Sequence, residues 1–285
     1  MRFIGIDLAW SQGRSSGIVV LDAQGRPEAS AYLEDLGAVA SFCLARAALG
    51  PVAVGVDAPL RVPNATGQRA AERELLRAFA DHRLGAHVAN RQRLLKVHGA
   101  IRGEQLARLL AGRFRLGAGA VEGHFAADGS RVRGHAGAEG LPGVLLEVYP
   151  HAALIAWFDL DRPLAYKRGP LQARVRGLQR LARLLASLKS ADPPLDLGDA
   201  VWLPDPEWEP AWQGATLAGA RHLESLLDAA VCAHVVRYWY RWGLRRCRVF
   251  GSAAEGEIVT PVPRALWADE GVPAGEGRAA HRGEG

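Results

Sequence analysis

The hydrophobic pattern opens on a strand. Residues 2–10 carry a mostly apolar face, and Gly17-Ile18-Val19-Val20-Leu21 forms a second β-type run after the turn-rich Ser11-Gln12-Gly13-Arg14-Ser15-Ser16, so the two are predicted to pair as a hairpin. Residues 29–33 supply a third strand. Helical spacing over residues 36–49 stops at Gly50-Pro51, the punctuation expected at a helix end. Val52-Ala53-Val54-Gly55-Val56-Asp57 is a short apolar run ending in a carboxylate, which suits a strand buried on both faces of a sheet. From residue 67 to about 111 the spacing is helical, and this stretch belongs to a predicted helical insertion over about 64–142. Residues 117–143, rich in Gly, Ala, Arg and His, read as a loop or mobile flap. Strand character returns over 144–149. Residues 171–188 are amphipathic and end before Asp192-Pro193-Pro194, residues 222–242 form the strongest helix, and residues 247–263 read as a hairpin turning at 251–257. A Gly-, Ala-, Glu- and Arg-rich tail over 269–285 is expected to be disordered. The pattern is α/β, one elaborated domain over residues 1–268, with no internal repeat.

Composition narrows this picture. At 285 residues, 49% hydrophobic and 23% charged, the chain can bury a sizeable core. The longest apolar run, 143–156, is broken by Glu147 and His151 and falls short of the roughly 20 residues a membrane span needs. The first residues enter a strand without a signal-type cleavage site, so a cytoplasmic location is expected. Cys43, Cys232 and Cys247 are odd in number and far apart, which points to reduced thiols rather than a disulfide framework or zinc site. A net charge of +5 and a pI near 9.4 are compatible with a nucleic-acid partner or with an ordinary Arg-rich solvated surface. Trp239, Tyr240 and Trp242 could stack bases, but at the end of a helix they read first as packing residues. The sequence sets no oligomeric state, a homodimer being one option.

The chemistry lies in acidic residues that break apolar runs. Asp7, Asp57 and Glu147 each follow a β-rich run, and a carboxylate there is unfavourable by several kcal/mol unless paired, hydrogen-bonded or metal-bound. Strand-end carboxylates of this kind can converge at the switch point of an α/β sheet. Asp228 sits between apolar residues of the strongest helix, with Glu224 one turn before it. Two like charges at that spacing repel unless a cation lies near, and a hard ion such as Mg²⁺ or Mn²⁺ prefers oxygen ligands. Each residue also has a structural reading: Asp7 as a turn cap, Asp57 as a strand-exit residue before Ala58-Pro59, Glu147 or Asp228 as the partner of an Arg.

Three strands, a helix and a further strand is the opening order of the ribonuclease H fold, with a mixed sheet flanked by helices. The chain resembles the family of predicted nucleases with that fold catalogued as domain of unknown function 429. The resemblance is carried in order by Gly5-Ile6-Asp7-Leu8-Ala9-Trp10, Gly55-Val56-Asp57-Ala58-Pro59-Leu60 with Pro63, Glu147-Val148-Tyr149-Pro150-His151-Ala152, Tyr166-Lys167, Leu226-Leu227-Asp228-Ala229-Ala230 and Gly256-Glu257-Ile258-Val259-Thr260-Pro261. It implies hydrolysis of phosphodiester bonds in DNA or RNA by a two-metal mechanism, with Asp7 bridging and Asp57 or Glu147, together with Asp228, completing the sites. Glu224 is a further candidate ligand; Ser225 stands where family members often carry another Asp and is no strong ligand. Lys167 could contact a phosphate and His151 could move a proton, although a lone His is more often a packed one. The alternatives are an actin-like nucleotide-binding or phosphotransfer protein, against which Leu8-Ala9-Trp10 lacks a phosphate-loop Gly, and a catalytically silent metal- or nucleic-acid-binding module.

Overall fold

Near-continuous burial along most of the strands is that of a mixed sheet covered on both faces. A computed structural model of the protein describes residues 1–118 and 143–268. β1 (Arg2–Asp7), β2 (Ser16–Leu21) and β3 (Pro27–Leu33) form an antiparallel meander, and β4 (Val52–Val56) pairs parallel to β1 on its other side. β5 (Phe114–Leu116) and β6 (Gly143–Glu147) complete a six-stranded sheet of order β3-β2-β1-β4-β6-β5. Its second half, from β1 through β4 and β6 to β5, is parallel. Asp7, Asp57 and Glu147 therefore emerge at the same end of three neighbouring strands.

Helices α1 (Leu36–Ala48) and α4 (Arg102–Leu110) cover one face, where Val39, Cys43, Leu106 and Leu110 pack on Ile4, Ile6, Ile18, Val54 and Val56. Burying each such aliphatic side chain contributes roughly 1.5–3 kcal/mol. α5 (Pro150–Phe158), α6 (Leu171–Ser187) and α7 (Leu217–Trp242) cover the other face with Phe3, Val19, Ala53 and Leu146. α7 is buried on nearly all sides, as expected of a helix apolar around its whole circumference. It approaches the sheet closely because glycine faces it. A Cβ on Gly5 would lie 1.8 Å from the carbonyl oxygen of Ala229, and one on Gly17 would lie 2.4 Å from that of Ser225. This contact brings the middle of α7, with Asp228, over the end of β1. Two further helices, α2 (Ala70–Ala78) and α3 (Arg91–His98), lie beyond β4. A hairpin of β7 (Cys247–Ser252) and β8 (Gly256–Pro261) packs on α2 and α5 through Phe250, Ile258, Leu75 and Ile155, and a Val148–Val259 bridge joins it to the end of β6.

The predicted helix over 36–49 and the hairpin near 247–263 match α1 and β7–β8. The helical stretch at 67–111 is three short helices, because Phe79, His82 and Gly99 interrupt it in turns, and the predicted insertion also holds β5, a strand of the main sheet. α5 was an expected apolar run without an expected helix; its first residue, Pro150, fits the first helical position, where no N–H is needed. The expectations for residues 119–142 and 269–285 fall outside the described residues. No described helix is long and apolar enough to cross a membrane.

Candidate functional site

The end of β1, the end of β4, α7 and the loop before α6 bring Asp7, Asp57, Asp228 and Lys167 together. Asp228 is fully buried. The Tyr166 hydroxyl donates to its Oδ1 at 2.7 Å, while Oδ2 meets Lys167 Nζ at 2.6 Å as an ion pair without hydrogen-bond alignment. The same ammonium stands 3.9 Å from Asp57 Oδ2, and the Asp57 side chain is 16% exposed. The Ser225 hydroxyl donates to Asp7 Oδ2 at 2.6 Å and accepts from the backbone N–H of Gly17 at 2.9 Å, tying α7, β1 and β2 to one carboxylate.

One ammonium thus serves three carboxylates, and the surplus negative charge is visible in their proton affinities. Burial raises Asp7 to about 6; Lys167 and Ser225 oppose the rise and Asp228 adds to it. Burial raises Asp57 to about 7 against Lys167, with Asp7, Asp228 and Glu147 adding repulsion. Burial works against the charge on Lys167, but Asp228, Tyr166, Asp57 and Asp7 together hold it well above the ordinary lysine value. It is therefore a fixed cation in a pocket that stays net negative whenever the carboxylates ionise.

The other expected residues take separate positions. Glu147 lies near this cluster but is gripped by Arg69: the guanidinium reaches its Oε1 at 2.5 Å and Oε2 at 2.9 Å, and the Leu60 N–H donates to Oε2 at 3.0 Å. Arg69 also binds Glu72 at 2.6 Å and donates to the carbonyl of Arg61 at 2.8 Å. This buried network fixes the loop after β4 to α2, so the Arg-paired reading of Glu147 describes its geometry. Glu224 pairs with Arg174 at 2.7 Å, and burial followed by repulsion from Asp228 raises it to about 7. His151 is half-buried against the ring of Tyr166 at 5.3 Å, and desolvation with Lys167 nearby lowers it to about 4, so it is neutral near pH 7. Among the described residues, no three His, Cys, Asp or Glu side chains already stand as ligands of one ion.

The donor set nevertheless fits a divalent cation: hard carboxylate oxygens in charge excess, with the Asp57 carboxylate receiving only the distant Lys167 contact among the described residues. A model of the family Protein of unknown function (DUF429) matches residues 5–253. The chain belongs to the DUF429 family. No curated protein and no solved structure is matched by this DUF429 chain. The matched span contains Asp7, Asp57, Glu147, Lys167 and Asp228. Two contributors to this DUF429 site were not singled out for chemistry from the sequence. Arg69 gave no signal, because the partner that ties it to the site, Glu147, lies 78 residues away. Tyr166 adjoins Lys167 in a short motif, and a tyrosine hydroxyl beside a buried Asp is a recurrent pairing.

Proposed function

We propose that the protein is a metal-dependent hydrolase of phosphodiester bonds in nucleic acid, built on a ribonuclease-H-like fold. The order β3-β2-β1-β4-β6 and the carboxylates at the ends of β1 and β4 support the fold reading. The observation that carries the functional reading is the convergence of Asp7, Asp57 and Asp228 on a single ammonium, which leaves two carboxylate charges uncompensated. Asp7, Asp57 and Asp228 would hold Mg²⁺ or Mn²⁺. Such an ion supplies an acidified water as nucleophile and stabilises charge on the leaving oxygen.

The chain's own groups have distinct tasks in this reading. Ser225 keeps Asp7 ionised and aimed by donating to one oxygen, leaving the other for a ligand. Tyr166 holds Asp228 in place by donating to its Oδ1. Lys167, held charged at the pocket, would bind the substrate phosphate. Glu147, satisfied by Arg69, positions the β4 exit rather than completing the ligand set. A second reading is a catalytically silent module in which Lys167 is the permanent counter-ion, and the 2.6 Å Lys167–Asp228 pair favours it.

Incubating the protein with end-labelled single- and double-stranded DNA and RNA decides between them. Cleavage with Mn²⁺ or Mg²⁺ that stops in chelator and falls by at least about 100-fold in Asp7→Asn supports hydrolysis. Full cleavage in Asp7→Asn, or none on any substrate with either ion, overturns it.

A further inference from the structure

Lys167 reaches the carboxylates from a segment that leaves its side chain free to move. It lies in the irregular stretch 159–170 between α5 and α6, and the residues that follow it, Arg168, Gly169 and Pro170, are exposed. Tyr166 pins this stretch: its side chain is fully buried and its hydroxyl donates to Asp228 Oδ1. The Lys167 side chain, in contrast, is 30% exposed and is held by charge, with its ammonium 2.6 Å from Asp228 Oδ2, 3.9 Å from Asp57 Oδ2 and 5.8 Å from the centre of the Tyr166 ring. Rotation about the bonds of its four-carbon stem carries the ammonium from the pocket to solvent while Tyr166 stays in place.

What the ammonium covers is a buried oxygen. Asp228 is fully buried, and its Oδ2 receives no aligned hydrogen bond among the described residues, so the charge of Lys167 is what compensates it. Leaving that oxygen uncovered is strongly unfavourable, and Lys167 can depart freely when another cation takes its place. The two cations exclude each other. Mg²⁺ binds oxygen at roughly 2.0–2.1 Å, and an ammonium already 2.6 Å from the same oxygen is both in its way and of like charge.

We propose that Lys167 is a tethered place-holder for the divalent cation: its ammonium keeps Asp57 and Asp228 together before an ion arrives, and moves to the pocket mouth when one enters. The inference rests on the metal-site reading above and gives Lys167 two positions, where a permanent counter-ion has one.

Neither of the measurements that test this depends on turnover. The chain's lysines are Lys96, Lys167 and Lys189, so acylation of each by a succinimidyl ester is followed separately by peptide mass spectrometry. In the natural protein in chelator, Lys167 reacts more slowly than exposed Lys96 and Lys189. Saturating Mn²⁺ raises its rate by at least about tenfold, as expected if the outward position is a minor state of about 0.1–10% without the ion, and leaves the other two unchanged. A site that is open in that fraction of molecules binds its ion more weakly by the same fraction, so Lys167→Met binds Mn²⁺ at least about tenfold more tightly than the natural sequence. Acylation of Lys167 unmoved by bound Mn²⁺, or equal or weaker Mn²⁺ binding by Lys167→Met, overturns the exchange and makes Lys167 the permanent counter-ion. Absence of Mn²⁺ binding in both proteins overturns the exchange and the metal-site reading together. Exchange with no nucleic-acid cleavage under any metal leaves it standing and removes the hydrolase reading instead.

Discussion

Replacing Lys167 by Met removes the only ammonium from a pocket of three carboxylates while keeping most of the side-chain volume. Its pair with fully buried Asp228 is 2.6 Å long, and breaking a buried pair from one side costs about 3–5 kcal/mol because the remaining charge is left uncompensated. That cost should appear in full at pH 8. Carboxylates raised in the folded state contribute stability that is present below the unfolded value of 3.8 and is lost as pH rises through the folded values of about 6 for Asp7 and about 7 for Asp57. Without the ammonium these affinities rise further, so proton uptake relieves the variant at pH 5 and the loss there is about half or less. A divalent cation offers another relief, worth about 2.7 kcal/mol at one hundred times its dissociation constant. Urea unfolding at pH 5 and pH 8, in chelator and in Mn²⁺, reads all of these effects. The control is Lys189→Met, whose partner Asp196 lies 3.1 Å away on the surface and whose loss costs about 0–1 kcal/mol at either pH. A loss for Lys167→Met that is equal at both pH values and unmoved by Mn²⁺ refutes the account of a charge-excess pocket.

Other predictions probe the surrounding structure. Arg69→Leu strands Glu147 and Glu72 in the core and is expected to destabilise by about 3–5 kcal/mol in chemical denaturation; a loss under about 1 kcal/mol means the network is dispensable. Gly5→Ala drives a methyl group against the backbone of α7, 1.8 Å from the Ala229 oxygen, and should cost about 3 kcal/mol or more or prevent folding, where an unchanged melting temperature contradicts the close approach. Asp57→Asn removes a group raised from 3.8 to about 7, so the natural protein should lose stability relative to this variant between pH 4 and 8, by about 1–2 kcal/mol once solvent access to the carboxylate is allowed for. A pH-independent difference between the two rejects that shift.

Asp7 and Asp57 were legible because each ends a run of apolar β-type residues, a pattern that local sequence displays. Glu147 ends the same kind of run, yet its partner Arg69 comes from the start of α2, 78 residues away, and no local pattern reports such a pairing. Asp228 was recognisable as a charge inside an apolar helix. Ser225, expected only as a missing ligand, proves to be the hydroxyl that joins α7 to Asp7; its spacing of three from Asp228 on a helix facing the sheet was the available clue. β5 has three residues and gains its definition from pairing with β6, whereas α5 is apolar all round and so lacks helical periodicity. Local chemistry exposed the carboxylates, and tertiary structure decided which of them share a counter-ion.

Titration of Mn²⁺ into the protein near neutral pH, followed by the paramagnetic resonance signal of the free ion, tests the central claim most directly. The account predicts saturable loss of that signal with the natural sequence and none with Asp7→Asn combined with Asp57→Asn. No binding by the natural protein, or equal binding by the double variant, would contradict it.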